Sequence, residues 1–402
     1  MSVSPYRNLL LLFACESCTR TASVLLLTVM ALVGRQLAPS VDLATLPLAL
    51  VPVATLLTTV PAARLMRRRG RRLGFSLGAA LGALGAGIAL AGVLNSAFWV
   101  LCLGAIGVGA AGGFATYYRF AAAEAVDTPL KSRAISLVMG GGIVAAILGS
   151  RLAVSSREWL GDNAFAGPFA CLLLVHMVSL GVLFLVRLPL PSAEEQAREG
   201  RPLWQIARQP ACLLALAGAV LAWFIMSLLM NATPLCMGRH QHTFADTAQV
   251  IQWHVLGMYV PAFFTGHLIG RFGEVRMMLA GLVLLLGAAL VGLSGLELGY
   301  FLAGLTLLGV GWNFLFVSST ALLTTTYEPW ERTRVQALND FAVYSALVLS
   351  TLASGPLEEK WGWEALNRGT IPVLLMAVVV VVWFGLRQRL RAVESRSVRS
   401  SG

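Results

Sequence analysis

A carboxylate and a guanidinium occur close together inside the first long apolar segment of this chain. Glu16 and Arg20 are four residues apart, a spacing that places both side chains on one face of a helix. Each ionisable group inside a membrane costs about 2.5–3.5 kcal/mol, so such groups usually serve a function. Two interpretations remain open here. The pair either neutralises itself as an internal salt bridge or contacts a solute or a proton.

A second set of polar residues lies near the ends of later apolar segments. Arg119 lies beside Tyr117. Its side chain could serve a function inside the segment or could simply extend to the membrane interface. Asp340 begins a later segment. It could carry a proton or be a gate partner for Arg334 or Arg332, or it could be a helix-start carboxylate stabilised by the helix dipole.

Aromatic, amide and imidazole groups in the second half of the chain are further candidates. Gln252, Trp253 and His254 are consecutive, and the unperturbed pKa of a histidine is near 6.5, which suits proton transfer. A hydrogen-bonded packing role for His254 is the alternative. Trp312 and Asn313 could present an aromatic platform and an amide to a solute, although tryptophan also fills space between helices.

Asn231 precedes a proline, in the sequence Asn231–Ala232–Thr233–Pro234. We expect the helix to break there, either at the mouth of a cavity or only to end the segment.

The sequence favours neither an enzyme nor a metal or cofactor protein. No glycine-rich loop that would hold a nucleotide phosphate is present, and His240 with His242 has metal-like spacing without further ligands nearby. Cys15 and Cys18 have redox spacing, but they lie inside an apolar helix and are predicted to be packing residues. We therefore predict no catalytic residues, no metal and no cofactor.

Long apolar segments must position these groups, and they dominate the chain. Of 402 residues, 57% are apolar and 12% charged, with a mean hydropathy of +0.76, whereas soluble domains carry about 25% charged residues. Segments of about 20 apolar residues are long enough to cross a bilayer as helices. We predict twelve such helices, at residues 8–34, 43–66, 73–94, 97–123, 134–153, 166–186, 210–232, 248–269, 277–296, 298–325, 336–354 and 369–388.

The net charge of +11 is distributed in a way that indicates orientation. With the N-terminus inside the cell, most of the 30 lysines and arginines fall in the predicted cytoplasmic segments. This is the positive-inside bias of an inner membrane protein with both termini in the cytoplasm. The bias explains the basicity without a nucleic-acid partner.

Two landmarks recur at about half the chain length. Gly70, in an arginine-rich turn, and Gly273 are 203 residues apart, and Pro129 and Pro329 are 200 apart. In each half, the landmark lies between the corresponding pair of apolar segments. A repeated topology of this kind is typical of transporters built from two similar bundles. The residues predicted to form paired cytoplasmic gate loops are Arg67, Gly70, Arg71, Arg72, Gly266, Arg271 and Gly273.

Twelve segments, a six-plus-six division and paired loops after the second and eighth segments resemble the major facilitator superfamily of transporters. The family's loop runs G-x-L-x-D-R-x-G-R-R, and residues 63–72 match its end, with Ala63 for the glycine and Arg67 for the aspartate. In the family the acidic residue helps to lock the cytoplasmic helix ends, so the latch is altered here. The stretches 118–124, 251–258 and 309–314 resemble a little-characterised bacterial branch of the superfamily.

We therefore expect an all-α membrane protein, monomeric in the bacterial inner membrane. The expected divisions are a six-helix bundle at 1–186, a cytoplasmic linker at 187–209, a second bundle at 210–390 and a tail at 391–402. The resemblance implies a secondary transporter that moves a small solute by alternating access, with proton coupling as a hypothesis. It also implies that the first, fourth, seventh and tenth helices line a central cavity, where Arg119 could pair with Glu16 or bind an anionic group of the solute. The alternative is a membrane sensor or assembly protein that keeps the scaffold without transport. Neither the substrate nor the direction of transport follows from the sequence.

Overall fold

The computed structural model describes residues 5–124, 134, 137–160, 165–186, 201–328 and 331–400. Side chains are described for nearly all of these; Arg67 and residues 389–400 are among the exceptions. The helices are α1 (Pro5–Leu37), α2 (Leu46–Arg69), α3 (Arg71–Leu94), α4 (Phe98–Ala115), α5 (Tyr118–Glu124), α6 (Gly141–Ser155), α7 (Ala166–Leu185), α8 (Leu203–Ala207), α9 (Pro210–Arg239), α10 (Phe244–Tyr259), α11 (Ala262–Phe272), α12 (Glu274–Ser294), α13 (Leu298–Thr324) and α14 (Arg332–Ser400), with a 3-10 turn at Val41–Leu43.

The described chain is helical because its apolar segments must satisfy their backbone hydrogen bonds internally in a lipid environment. Ten of the described helices are long and apolar enough to cross a membrane. The twelve predicted segments are not reproduced one for one. The eighth is divided between α10 and α11, and the eleventh and twelfth are joined in α14, which turns at Gly362 (φ 77°).

The two glycine turns have the same backbone conformation. Gly70 has φ 88° and ψ 154°, and Gly273 has φ 83° and ψ 160°. The N–H of Gly70 donates to the carbonyl of Met66 at 2.9 Å, and the N–H of Gly273 donates to that of Ile269 at 2.7 Å. Glycine is favoured at both positions because a side chain is strained at positive φ. In each half, the connector between the two helices is thus a single glycine. The repeat predicted from the sequence is therefore also present in the backbone conformation.

Equivalent helices pack against each other in the two halves. Helix α3 packs along α4 as α12 packs along α13, and α1 packs on α6 as α9 packs on α14. Small residues permit the close approach. A Cβ atom on Gly85 would lie 2.5 Å from the backbone nitrogen of Val108, and one on Gly281 would lie 2.5 Å from that of Leu315. The fold is therefore two similar helical bundles.

Three predictions about where helices are interrupted are wrong. The segment predicted as 97–123 ends at Ala115 and resumes at Tyr118, with the hydroxyl of Thr116 donating to the carbonyl of Gly113 at 2.9 Å. The segment predicted as 248–269 breaks at Pro261, which lacks the N–H that a continuous helix needs. The break expected at Asn231–Pro234 does not occur, since α9 continues through Pro234 to Arg239.

The most extensive contacts between the halves lie along two pairs of helices. Helix α2 packs against α14, and α6 packs against α10. We name the end of the molecule that contains Gly70 and Gly273 the turn face, and the other end the opposite face. At the opposite face, Arg35 forms an ion pair with Glu359 at 3.4 Å, and the guanidinium of Arg157 lies 5.2 Å from the ring centre of Phe244. These contacts bring the halves together at that end.

Candidate functional site

Glu16 and Arg20 form an ion pair inside α1. The Nε atom of Arg20 donates to Oε1 of Glu16 at 2.7 Å. The Glu16 side chain is 4% exposed and the Arg20 side chain 34% exposed. The carboxylate is thus enclosed, while about a third of the arginine side chain remains exposed.

Two phenol groups of the second half lie near this pair. Tyr259 of α10 and Tyr344 of α14 both lie within electrostatic range of Arg20. Tyr344 also interacts with the charges of Asp340 and Arg119. Two helices of the second half therefore place phenol groups beside the charged pair on α1.

Asp340 and Arg119 lie within electrostatic range of each other, although they belong to different halves. Tyr117 interacts with both of them, and its hydroxyl donates to the carbonyl of Thr59 at 3.2 Å. Of the residues proposed from sequence, the structure brings together Glu16, Arg20, Tyr117, Arg119 and Asp340. We name these five residues the charged centre.

Trp312 is part of an aromatic group that spans two helices. Its ring stacks on that of Phe316, with centroids 5.1 Å apart and an interplanar angle of 18°. The ring of Trp223, on α9, stands nearly perpendicular to both, at 5.0 Å from Trp312 and 5.7 Å from Phe316. We name Trp223, Trp312 and Phe316 the aromatic cluster. Sequence reasoning missed Trp223 and Phe316, although the four-residue spacing of Trp312 and Phe316 was a usable signal.

The amide of Asn313 is engaged within the scaffold. Its Nδ2 atom donates to the carbonyl of Met258 at 2.7 Å, and its Oδ1 atom accepts from the hydroxyl of Thr265 at 2.6 Å. Met258 and Thr265 lie on either side of the break at Pro261. Asn313 therefore stabilises the interruption between α10 and α11.

His254 and Asn231 are buried among packed helices. The Nδ1 atom of His254 lies 2.8 Å from the carbonyl oxygen of Leu305, and the residue is 0% exposed. Asn231 donates to the hydroxyls of Ser227 and Thr351, each at 2.9 Å. The contact of His254 joins α10 to α13, and that of Asn231 with Thr351 joins α9 to α14.

Gln252 and Trp253 flank His254 on α10. Gln252 is partly buried, whereas Trp253 is 46% exposed.

The predicted gate residues lie at the turn face. Arg72 donates to the carbonyl of Phe184 at 2.8 Å, and Arg71 is partly buried. Arg271 stacks over the ring of Phe272 at 5.4 Å, while Gly266 lies on the exposed α11. The side chain of Arg67 lies outside the described residues.

An ionic network at the opposite face was not anticipated from sequence. Arg239 contacts Glu358 at 3.1 Å and Glu359 at 2.6 Å. Glu359 also pairs with Arg35 of the first half. Because Glu358 is 1% exposed, its charge depends on Arg239 for compensation.

The end of the linker is attached to the second half. Arg201 contacts Glu331 through three hydrogen bonds, one from its backbone N–H at 2.8 Å and two from its guanidinium at 2.8 and 2.6 Å. These bonds, together with one from the backbone N–H of Glu328, lower the pKa of Glu331 to about 2. Residues 187–200 of the predicted linker, with Pro129 and Pro329 of the second landmark, lie outside the described residues.

Comparisons with known proteins agree with this arrangement. A sequence profile of the Major Facilitator Superfamily matches residues 12–251 and 216–400. The chain is 37% identical over 378 residues to the riboflavin transporter RfnT of Brucella anthropi, covering 94% of this chain and 95% of that protein. It is 28% identical to the uncharacterized MFS-type transporter YdeG of Bacillus subtilis, over 89% of this chain and 86% of that protein.

The fold is also found among solved structures. That of a POT family transporter in complex with 5-aminolevulinic acid superimposes with a TM-score of 0.71 at 14% identity, covering 94% of this chain and 96% of that one.

Proposed function

This chain belongs to the major facilitator superfamily, and we propose that it is a secondary active transporter that moves a small solute by alternating access. Membership and the full-length similarity to a riboflavin transporter make it a membrane transporter. The proposal of alternating access is supported by the two similar bundles and by the helix pairs α2–α14 and α6–α10 between them. Transporters with repeated halves typically bind solute between the repeats and open alternately to each side.

The proposed substrate is riboflavin or a close flavin analogue. The observation that carries this proposal is the 37% identity to RfnT over nearly the full length of both chains. The fold also contains hydrogen-bonding charged groups, in the charged centre, and an aromatic cluster. A flavin offers a planar ring system and a polyhydroxyl chain, which match these two kinds of surface.

Proton coupling is proposed through the charged centre. Asp340 belongs to the second half and lies within electrostatic range of Arg119 of the first, so its surroundings would change whenever the halves separate. A carboxylate that gains and loses a cationic neighbour in this way can gain and lose a proton. Glu16 is held by Arg20, and His254 is enclosed between α10 and α13. We therefore assign the proton to Asp340 first.

We also propose the membrane topology of the chain and its division into two bundles. Both termini and the turn face would lie in the cytoplasm, because the arginine-rich turn at Gly70 marks that side. The bundles would span 1–186 and 210–390, with a linker at 187–209 and a tail at 391–402, in a monomeric protein.

Flux of riboflavin into proteoliposomes tests the proposal. Purified protein should give saturable flux, and an inward-acidic or outward-acidic pH gradient should change its rate. Asp340→Asn should retain exchange of riboflavin across the membrane but lose the response to the gradient. Absence of flux from correctly inserted protein would refute transport of riboflavin and favour the sensor alternative. Flux that ignores the gradient would remove only the proton coupling.

A further inference from the structure

Two donors in the aromatic cluster have no acceptor within the described part of the chain. The indole Nε1 atoms of Trp223 and Trp312 are both buried and make no hydrogen bond there. Leaving one buried donor unpaired costs about 1–3 kcal/mol. Two unpaired donors on rings in mutual contact therefore leave two positions at which a bound molecule could supply an acceptor.

The position of the cluster fits access from the bundle centre. Trp223 and Phe316 are partly exposed although both lie near the middle of long helices. On α13, Leu307, Val310 and Phe314 form a separate partly exposed apolar stripe. Phe316 is not on that stripe, because successive residues of a helix differ by about 100°.

Neighbouring contacts fix the direction of Phe316. Gly309 and Asn313 of the same helix touch α10, through His254 and Met258. Ser319 touches α9 at Gly218. Phe316 lies on the helix surface between these two contacts, and therefore faces the groove between α9 and α10. Tyr259, at the end of α10, lies near both parts of the molecule: it is within electrostatic range of Arg20 and packs against the core that contains Trp312.

We propose that Trp223, Trp312 and Phe316 bind the planar ring of a flavin, with the indole N–H groups donating to the ring's carbonyl oxygens. This inference rests on the proposed function and names the part of the substrate that the cluster recognises. The ring would take the stacking position on Phe316 that Trp312 now occupies, with Trp223 at its edge. Trp312 would turn so that its N–H, which lies in the plane of the indole, points at a carbonyl oxygen of the flavin. The polyhydroxyl chain would extend toward Arg20 and Glu16.

The unpaired donors also make the site adaptable. The N–H atoms are covered in this state, so binding requires at least one indole to turn. An indole that makes no hydrogen bond loses none when it turns, whereas it gains one to the ligand. The same groups would reject an isosteric ring without carbonyl oxygens, because their donors would stay unpaired.

Flavin binding to the purified full-length protein tests the inference. The probes are riboflavin, lumiflavin, which has the ring without the polyhydroxyl chain, and ribitol, which has the chain without the ring. Quenching of flavin fluorescence and equilibrium dialysis report affinity. We expect riboflavin and lumiflavin to bind and ribitol to bind far more weakly.

Ring-removing and donor-removing variants separate stacking from hydrogen bonding. Phe316→Ala or Trp223→Ala should weaken the binding of riboflavin and lumiflavin alike, about 5- to 150-fold, the usual effect of removing a stacking partner. Trp312→Phe and Trp223→Phe keep a ring but lose the donor, and each should weaken binding about fivefold. The matched control is Trp99→Phe, at a residue that is 63% exposed at the start of α4. This variant should bind both flavins as the wild type does.

The outcomes distinguish this inference from the proposed function. If the wild type neither binds nor transports riboflavin, both are wrong. If the wild type binds and transports riboflavin while the conservative Trp→Phe variants and Phe316→Leu, each with wild-type thermal stability, bind flavins normally, only the cluster's role is refuted. Weaker lumiflavin binding in the stable variants, with wild-type binding in Trp99→Phe, would support it.

Discussion

Removing Arg20 from its ion pair with Glu16 should destabilise the protein more than removing Glu16. The carboxylate is enclosed, at 4% exposed, whereas a third of the arginine side chain is exposed. Arg20→Met leaves a buried negative charge without compensation. Breaking a buried pair usually costs 3–5 kcal/mol, and we expect about 3 kcal/mol because the arginine is partly accessible. Glu16→Leu leaves Arg20, the more accessible partner, without its counter-ion. This change should lower the free energy of unfolding by about 1 kcal/mol.

The double variant separates stability from function. Replacing both charges by apolar groups of similar size is often neutral for stability, so Glu16→Leu with Arg20→Met should be closer to the wild type than Arg20→Met alone. Unfolding in mixed micelles with rising denaturing detergent measures all four proteins. If the pair contacts substrate or the proton path, the stable double variant should still lose riboflavin flux. A double variant as unstable as Arg20→Met, or one that transports normally, would refute the reasoning.

Two further predictions concern packing and pH. A Cβ atom on Gly309 would lie far inside contact distance of the backbone oxygen of His254, so Gly309→Ala should destabilise by about 3 kcal/mol in the same unfolding measurement. Gly181→Ala, where a Cβ atom meets nothing within 4 Å, should be neutral or slightly stabilising, and equal effects of the two would contradict the packing. The pKa of Glu331 falls from 4.5 to about 2 on contact with Arg201, so its stabilising effect should be complete above pH 4.5 and should disappear as the pH falls toward 2. The melting midpoint of the wild type should therefore exceed that of Glu331→Gln at neutral pH and approach it in acid; a gap that is constant with pH would refute this.

The bundle class and much of the charged centre could be predicted from the sequence, because the insertion cost of charge in lipid is a local property. Glu16 and Arg20 needed only helical spacing to be paired. Arg119 and Asp340 were identified as unusual for the same reason, and the fold then placed them near each other.

The aromatic cluster and the role of Asn313 could not be predicted in this way. Trp223 meets Phe316 only because α9 packs on α13, and that packing is a property of the whole bundle. The amide of Asn313 is hydrogen-bonded within the scaffold because a helix break leaves the carbonyl of Met258 free to accept. The sequence had indicated one uninterrupted helix there. Pro234 illustrates the reverse error: a proline was expected to break α9, but neighbouring helices support the continuous helix in lipid.

Tethering the halves at the opposite face tests alternating access most directly. Arg35→Cys with Glu359→Cys replaces the ion pair that joins the halves, and a short reducible thiol cross-linker would fix them together there. Arg239→Cys with Glu358→Cys, a pair within the second half, is the matched control. We predict that the first cross-link stops riboflavin flux in proteoliposomes until it is reduced, and that the control cross-link does not. Unchanged flux through fully cross-linked Arg35→Cys/Glu359→Cys protein would contradict the account.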